Sequence, residues 1–302
     1  MAAAEPVKEQ KKWPMRWKKP HFIRWELAQI WLAFWLFFLG IFMLLPLIYI
    51  FNHALKPYSE LFIFPPNIFV INPTLSNFLE LFVITRDSLV PASRYLFNSI
   101  TIAILATSAV VIVSALCAYP LSKHKFPGAN ALFMVIIVSL MFVPETMLIP
   151  RYVVVSSLGI MNTYWAHILP HVAAPVSVFL MKQFMDQVPD ELLEAAKIDG
   201  AREFTVFLRI VMPICMPAVA TTAILQFQGI WGSIETSVFF MTDDAMKTFP
   251  FFLQTLTQNL ANSVARQGAA AAAGLVMFLP LLFVFLVFQR KVIATMAHSG
   301  IK

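Results

Sequence analysis

Apolar residues in this chain gather into long runs instead of alternating, and six of the runs have the length that crosses a bilayer. A hydrocarbon core about 30 Å thick takes roughly 20 helical residues at about 1.5 Å each. The first run, Ile30 to Phe51, carries no charge, and neither does the second, Ser99 to Tyr119. The third extends from Ala131 to about Pro150 and is interrupted only by Glu145, while the fourth, from about Asn162 to Leu180, holds His167 and His171. The fifth runs from about Val211 to Gln228, and the sixth, Gly268 to Phe288, opens on small residues as far as Gly274. This pattern predicts an all-α polytopic membrane protein with six transmembrane helices, and an even number places both termini on one side.

The side follows from Lys and Arg, which cytoplasmic loops retain. Seven precede the first run (Lys8, Lys11, Lys12, Arg16, Lys18, Lys19, Arg24). On the same face fall Lys123 and Lys125; then Lys182, Lys197, Arg202 and Arg209; then Arg290, Lys291 and Lys302. The opposite face holds Lys56, Arg86, Arg94, Arg151, Lys247 and Arg266. Both termini and the two even loops are therefore predicted to be cytoplasmic. The first run is longer than the apolar region of about 7–15 residues in a cleaved signal, and no small-x-small site follows it, so it reads as a retained helix. Trp13, Trp17 and Trp25 interleave with the basic residues before it. That composition suits a segment at the headgroup level of anionic lipid, and residues 1–12 equally suit a disordered basic tail.

Composition agrees with the pattern. Hydrophobic residues make up 59% and charged residues 13% of the 302, against about 45–50% and about 25% in soluble domains. The net charge of +6 is assigned to the membrane surface, with no nucleic-acid partner expected. Cys117 and Cys215 sit inside apolar runs, which excludes a disulfide scaffold. Prolines within the runs (Pro46, Pro144, Pro170, Pro175, Pro217, Pro280) predict kinked helices.

Ten charged residues crowd into residues 182–209, between the fourth and fifth runs. Pro189, Asp190 and Glu191 suit a helix start, and Gly200 suits its stop, because glycine accepts the left-handed conformation. A second short helix is predicted to follow, with Phe204, Phe207, Leu208 and Val211 on one face. Ala195 and Ala196 leave the backbone open to close approach by another protein's surface.

Glu194-Ala195-Ala196, three residues, Gly200, nine residues, then Ile210-Val211-Met212-Pro213 resembles the EAA motif of the membrane subunits of bacterial ABC importers. Met212 stands where the family has Leu. Ala54-Leu55-Lys56-Pro57, Asn98-Ser99, Ala118-Tyr119-Pro120-Leu121-Ser122-Lys123, Gln289-Arg290 and Gly300-Ile301-Lys302 are similar to the carbohydrate importers, on the side of the maltose-type six-span permease. Gly232 stands where that group often has Asn. The resemblance covers about residues 30–302 and implies a type I ABC importer permease fold, with cytoplasmic coupling helices in a loop at about 185–213. It divides the chain into a cytoplasmic segment 1–29, a first span 30–51, an extracytoplasmic loop 52–98, a permease core 99–288 and a cytoplasmic tail 289–302.

The resemblance further implies a subunit of an ATP-driven importer in a bacterial or archaeal cytoplasmic membrane, moving a sugar or oligosaccharide, with a non-sugar solute as the alternative cargo. Implied partners are a second homologous permease, a cytosolic ATPase dimer, an extracytoplasmic solute-binding protein and membrane lipid. ATPase docking is implied for Glu194, Ala195, Ala196, Asp199, Gly200, Ala201, Ile210 and Pro213. No glycine here is followed by lysine, so the phosphate-binding loop is absent. ATP and Mg are therefore expected on the ATPase, with no cofactor on this chain and no enzyme activity of its own.

His167 and His171 share a helical face, one way to hold zinc, yet Pro170 lies between them and no acid or thiol is close in sequence. No metal is expected. Polar lining of the translocation path and hydrogen bonding between helices remain as their two readings. Glu145, an acid well within the third run, is a candidate path residue by default, and pairing with a neighbouring helix or subunit is the alternative. An ion-coupled carrier calls for more intramembrane acids or broken half-helices in an internal repeat.

Overall fold

The computed structural model describes residues 27–61, 63, 67, 69–84, 90–258 and 267–299. The basic segment before them, Arg86, Arg266 and residues 300–302 lie outside the described residues. Two compact units are present, residues 1–48 and 49–302. The first consists, as far as it is described, of most of helix α1 (Leu27–Leu55), which carries a ladder of rings at helical spacing, Trp31, Trp35 and Phe38, with centroids about 6 Å apart.

Among the described residues of 49–302, every regular element is a helix. After the end of α1 come α2 (Tyr58–Leu61), α3 (Ser76–Ile84), α4 (Ala92–Lys123) and α5 (Ala129–Ser139). A 3-10 turn, Pro144–Met147, leads into α6 (Leu148–Ser157), α7 (Tyr164–Val172), α8 (Pro175–Met185) and α9 (Asp190–Ile198). Then follow α10 (Glu203–Val206), a π turn (Phe207–Val211), α11 (Met212–Ile214), α12 (Met216–Trp231), α13 (Glu235–Phe240), α14 (Phe249–Gln258) and α15 (Gln267–Ser299).

Three helices among the described residues are long and apolar enough to span a membrane unbroken: α1, α4 and α15. At 32 and 33 residues, α4 and α15 reach roughly 48 Å and overrun a core about 30 Å thick. The segment 52–98 is not a plain loop, since it holds α2, α3 and the first turns of α4, and α15 continues past Phe288 to Ser299. The other three apolar runs are broken. The third bends by 106° between α5 and the 3-10 turn, the fourth by 45° between α7 and α8, and the fifth by 77° between residues 214 and 216.

Proline chemistry explains the breaks. Pro144 has no N–H and its ring excludes a helical carbonyl at Leu140, so Val143 before it is extended (φ −75°, ψ 132°). Ala174 before Pro175 is likewise non-helical, at ψ 84°. The fifth run bends at Cys215, between Pro213 and Pro217, and widens into its π turn just before Pro213, where a regular helix would press Arg209 carbonyl against the proline ring. A correction follows for Glu145: α5 ends at Ser139, so this acid is not within a continuous span but exposed in the turn after the bend.

Helix α4 is the post of the bundle, packed by α7, α8, α12 and α14. Three apolar clusters follow its length. Near its start, Ala92 and Tyr95 meet Phe249, Phe252 and Leu256 of α14 and Ala269, Ala272 and Ala273 of α15. Midway, Ile102, Ala103 and Ala106 meet Ile168, Ile230 and Trp231, whose indole N–H donates to Met277 O at 2.9 Å. At the Lys123 end, Ala115, Ala118 and Tyr119 meet Met181 and Met185 of α8 and the segment around α9.

Polar side chains close what the helices leave open. Asn77, 2% exposed, donates to the carbonyls of Ala54 (3.0 Å) and Lys56 (2.8 Å), carbonyls that the end of α1 would leave unpaired. Gly268 makes room for it: a Cβ there would lie 2.4 Å from Asn77 Oδ1. Gly268→Ala is therefore expected to cost about 1–3 kcal/mol by overpacking. Read by thermal unfolding in detergent, Gly268→Ala should lower the midpoint in the wild-type background and have a much smaller effect once Asn77→Ala has removed the clash.

Candidate functional site

At the Lys123 end of α4 the chain between α8 and α12 folds into a compact helical hairpin. Pro189 (φ −60°, ψ 134°) stands just before α9, and Asp190 and Glu191 occupy the first turn, where the helix dipole favours negative charge. The helix is two-faced. Leu193 is buried, whereas Glu191, Glu194, Ala195 and Ile198 lie along the exposed face, with Ile198 86% exposed.

The stop is a Schellman motif. Gly200 adopts φ +81°, its N–H donates to Lys197 O at 3.0 Å, and Ala201 N–H donates to Ala196 O at 3.0 Å. Asp199 caps the helix from an exposed position, its N–H donating to Ala195 O at 3.1 Å. Ala196 and Ala201 are the two ends of the bond that spans the turn and both pack against the apolar cluster. The two alanines thus let the turn close against the bundle, while Glu194 and Ala195 look away from it.

After the turn, α10 and the π turn bury Val206, Phe207 and Val211 beside Leu193, with Ile210 packed against them and Pro213 exposed. Each of these large buried side chains contributes about 2 kcal/mol of transfer free energy. Polar contacts then join the hairpin to α4. Lys123, its side chain 5% exposed, donates to Val188 O at 2.5 Å and to Asp190 Oδ1 at 2.8 Å. That hydrogen bond, with the charge of Lys123, holds the Asp190 carboxyl below its usual range. Glu203 accepts from the Tyr119 hydroxyl at 2.5 Å, lies 3.1 Å from His124 Nε2 and 3.0 Å from Lys197 Nζ.

The eight motif residues therefore come together in one element, Glu194 and Ala195 outward and Ala196, Ala201 and Ile210 inward. Glu145, His167 and His171 lie elsewhere. His167 is fully buried, with Nδ1 at 2.7 Å from Thr236 Oγ1 and Nε2 at 3.0 Å from Met246 O. Both ring nitrogens are occupied by protein groups, and no cluster of three metal-ligating side chains occurs among the described residues. The same end of the bundle holds Asn98, which donates to Ala245 O and Lys247 O, both at 2.8 Å, and accepts from Tyr164 at 2.8 Å.

Sequence reasoning did not single out Lys123, Tyr119, His124 or Glu203 as members of this site. Their signal was present in part: Tyr119 and Lys123 belong to the Ala118–Lys123 string read only for its resemblance. Glu203 had the weaker signal of an acid at the start of the second short helix.

The family model for the binding-protein-dependent transport system inner membrane component matches residues 110–298. The arabinooligosaccharides transport system permease protein AraQ of Halalkalibacterium halodurans is 31% identical over 205 residues, 68% of this chain and 72% of its own length. The trehalose transport system permease protein SugB of Mycobacterium tuberculosis is 27% identical across 86% of this chain and 92% of its own. Among solved structures, a chain of a bacterial ABC transporter that imports the acidic polysaccharide alginate superposes with a TM-score of 0.76 at 19% identity, over 87% of this chain and 95% of that one.

The left-handed turn sets a testable demand. Nothing lies within 4 Å of a Cβ built on Gly200, so only backbone strain opposes substitution. Gly200→Ala should weaken the hairpin by roughly 1–2 kcal/mol, seen as faster amide hydrogen exchange across residues 195–206. Gly200→Asn should lose less, because asparagine tolerates this conformation.

Proposed function

The chain belongs to the binding-protein-dependent transport system inner membrane components, and we propose that, as the permease subunit of an ATP-driven importer, it carries a sugar or oligosaccharide across the cytoplasmic membrane. It is a membrane transport component and not itself an enzyme. The observation that carries the mechanism is the hairpin: a rigid, two-faced element at the Lys123 end of the bundle, apolar toward the spans and presenting Glu194, Ala195 and Ile198 outward. A chain without a phosphate-binding loop must receive ATP energy from another subunit, and this is the surface shaped to receive it.

In this reading a cytosolic ATPase dimer, holding ATP and Mg, grips α9 of this chain and of a second permease. The low profile of Ala195 admits a close surface, Glu194 offers a charge for a polar contact, and Ile198 inserts an apolar anchor. Approach and separation of the ATPase subunits then rock the spans, opening a shared cavity alternately outward and inward. The concentration of Lys123, Lys125, Lys182, Lys197, Arg202 and Arg209 at the hairpin end supports a cytoplasmic position for it. The solute-binding protein is received by segments 52–98 and 229–267. The alginate importer has been solved in complex with a periplasmic protein bound to an alginate pentasaccharide, which supports this partnership.

The sugar class rests on relatives that carry arabinooligosaccharides and trehalose. Vesicles containing both permeases, the ATPase and the binding protein should take up labelled arabinooligosaccharide or trehalose only with ATP-Mg and only with the binding protein present. Replacing Glu194 and Gly200 together should abolish uptake. Uptake by the permeases without the ATPase, or uptake driven by an imposed ion gradient alone, would contradict the reading.

A further inference from the structure

We propose that Glu203 is a positioning residue that locks the register of the coupling hairpin on the second span, so that motion of α9 is delivered to α4 and not lost as sliding. This deepens the transport reading above and rests on it. The covalent chain alone cannot link α9 to α4. Helix α9 is joined directly to α8 before it and to α10 through α12 after it, whereas α4 is remote in sequence and is reached only by non-covalent contacts. Yet α4 is the helix that α7, α8, α12 and α14 all pack against.

The apolar contact between hairpin and post does not by itself fix register. Leu193, Val206, Phe207 and Val211 share their cluster with Ala115, Ala118 and Tyr119 of α4; the two alanines offer a low-relief face, and the one large side chain, Tyr119, meets the hairpin through its ring on Phe207 at 5.0 Å. Hydrophobic burial resists separation but has no direction, so it tolerates a shift along the helix. Directional contacts supply what is missing, and they sit at both ends of α9. At its start, Lys123 bonds Val188 O and Asp190. At its end, Lys197 reaches Glu203 Oε2, and the other oxygen of the same carboxylate takes the Tyr119 hydroxyl and His124 Nε2.

Within this set Glu203 is the shared node. The Lys197 and His124 pairs are partly exposed and by themselves hold little. The Tyr119 hydroxyl differs: the residue is 6% exposed, its ring lies 5.0 Å from Phe207, and its donor has this carboxylate as acceptor. A charge-assisted hydrogen bond from a buried donor is both strong and geometrically exacting. One carboxylate therefore ties the last turn of α9, the first turn of α10 and the inner end of α4 into one body.

The test uses the full transporter, both permeases with the ATPase and binding protein in vesicles, and reads labelled arabinooligosaccharide or trehalose moved per ATP hydrolysed. Glu203→Gln and Tyr119→Phe should each lower that ratio about tenfold, the size expected for loss of one charge-assisted hydrogen bond. The double variant should be no worse than the poorer single. A merely structural role would reduce the amount of assembled complex and leave the ratio untouched. Tyr119→Phe keeps the ring on Phe207, so it carries the test even where Glu203→Gln impairs assembly. Unchanged ratios in the assembled variants, or fully additive losses in the double variant, overturn the proposal while wild-type transport stands. A wild-type complex that moves neither sugar on ATP removes the transport reading and this proposal with it.

Discussion

Everything in the account depends on one packed contact, the burial of Leu193, Val206, Phe207 and Val211 against the Lys123 end of α4 and the methionines Met181 and Met185 of α8. Without it, α9 would be a helix of nine residues on two flexible tethers, too short to hold its own shape in water. With it, the helix is a fixed extension of the bundle, and a push on Glu194, Ala195 or Ile198 is a push on the spans. The Schellman turn at Gly200 makes the contact reachable, because it reverses the chain while pairing the orphan carbonyls of Ala196 and Lys197.

The rest of the bundle obeys the demand that lipid places on backbone. Unpaired N–H and C=O groups are costly away from water, and each break in the apolar runs falls at a proline or within two residues of one, where a bond was already forfeited. At the opposite end from the hairpin, buried Asn77, Asn98 and His167 spend their polar atoms on carbonyls and hydroxyls of neighbouring segments. They tie the segments between helices to the ends of α1, α4 and α7. The two ends therefore differ in kind: one is a set of segments pinned by polar side chains, the other a lever pinned by apolar packing and a few ions.

Much of this was legible because the bilayer imposes a length. Uncharged runs such as Ile30–Phe51 and Ser99–Tyr119 have few other readings, and Gly200 after an amphipathic turn announced a helix stop. What the runs concealed was continuity. Pro144 announced a kink, but hydropathy does not tell a kink from a helix end with Val143 extended, so the third run read as one span with Glu145 inside it. Pairing across the chain was also hidden. Nothing local distinguishes Glu203, separated from Tyr119 by 84 positions, as the acceptor for that hydroxyl. Neither does spacing show that His167 meets Thr236 and Met246 carbonyl, contacts that exist only once α7 lies beside α13.

The central claim is that the hairpin and the second span move as one body. Cys117 on α4 and Glu191 on α9 are both exposed and neither belongs to the contacts proposed for the ATPase, so spin labels at Cys117 and at Glu191→Cys, with buried Cys215 replaced by Ala, report their separation directly. Measured by pulsed electron resonance in the assembled transporter, that distance should be a single narrow distribution, the same with ATP bound and without it. A distribution that shifts or splits when ATP binds would contradict the account.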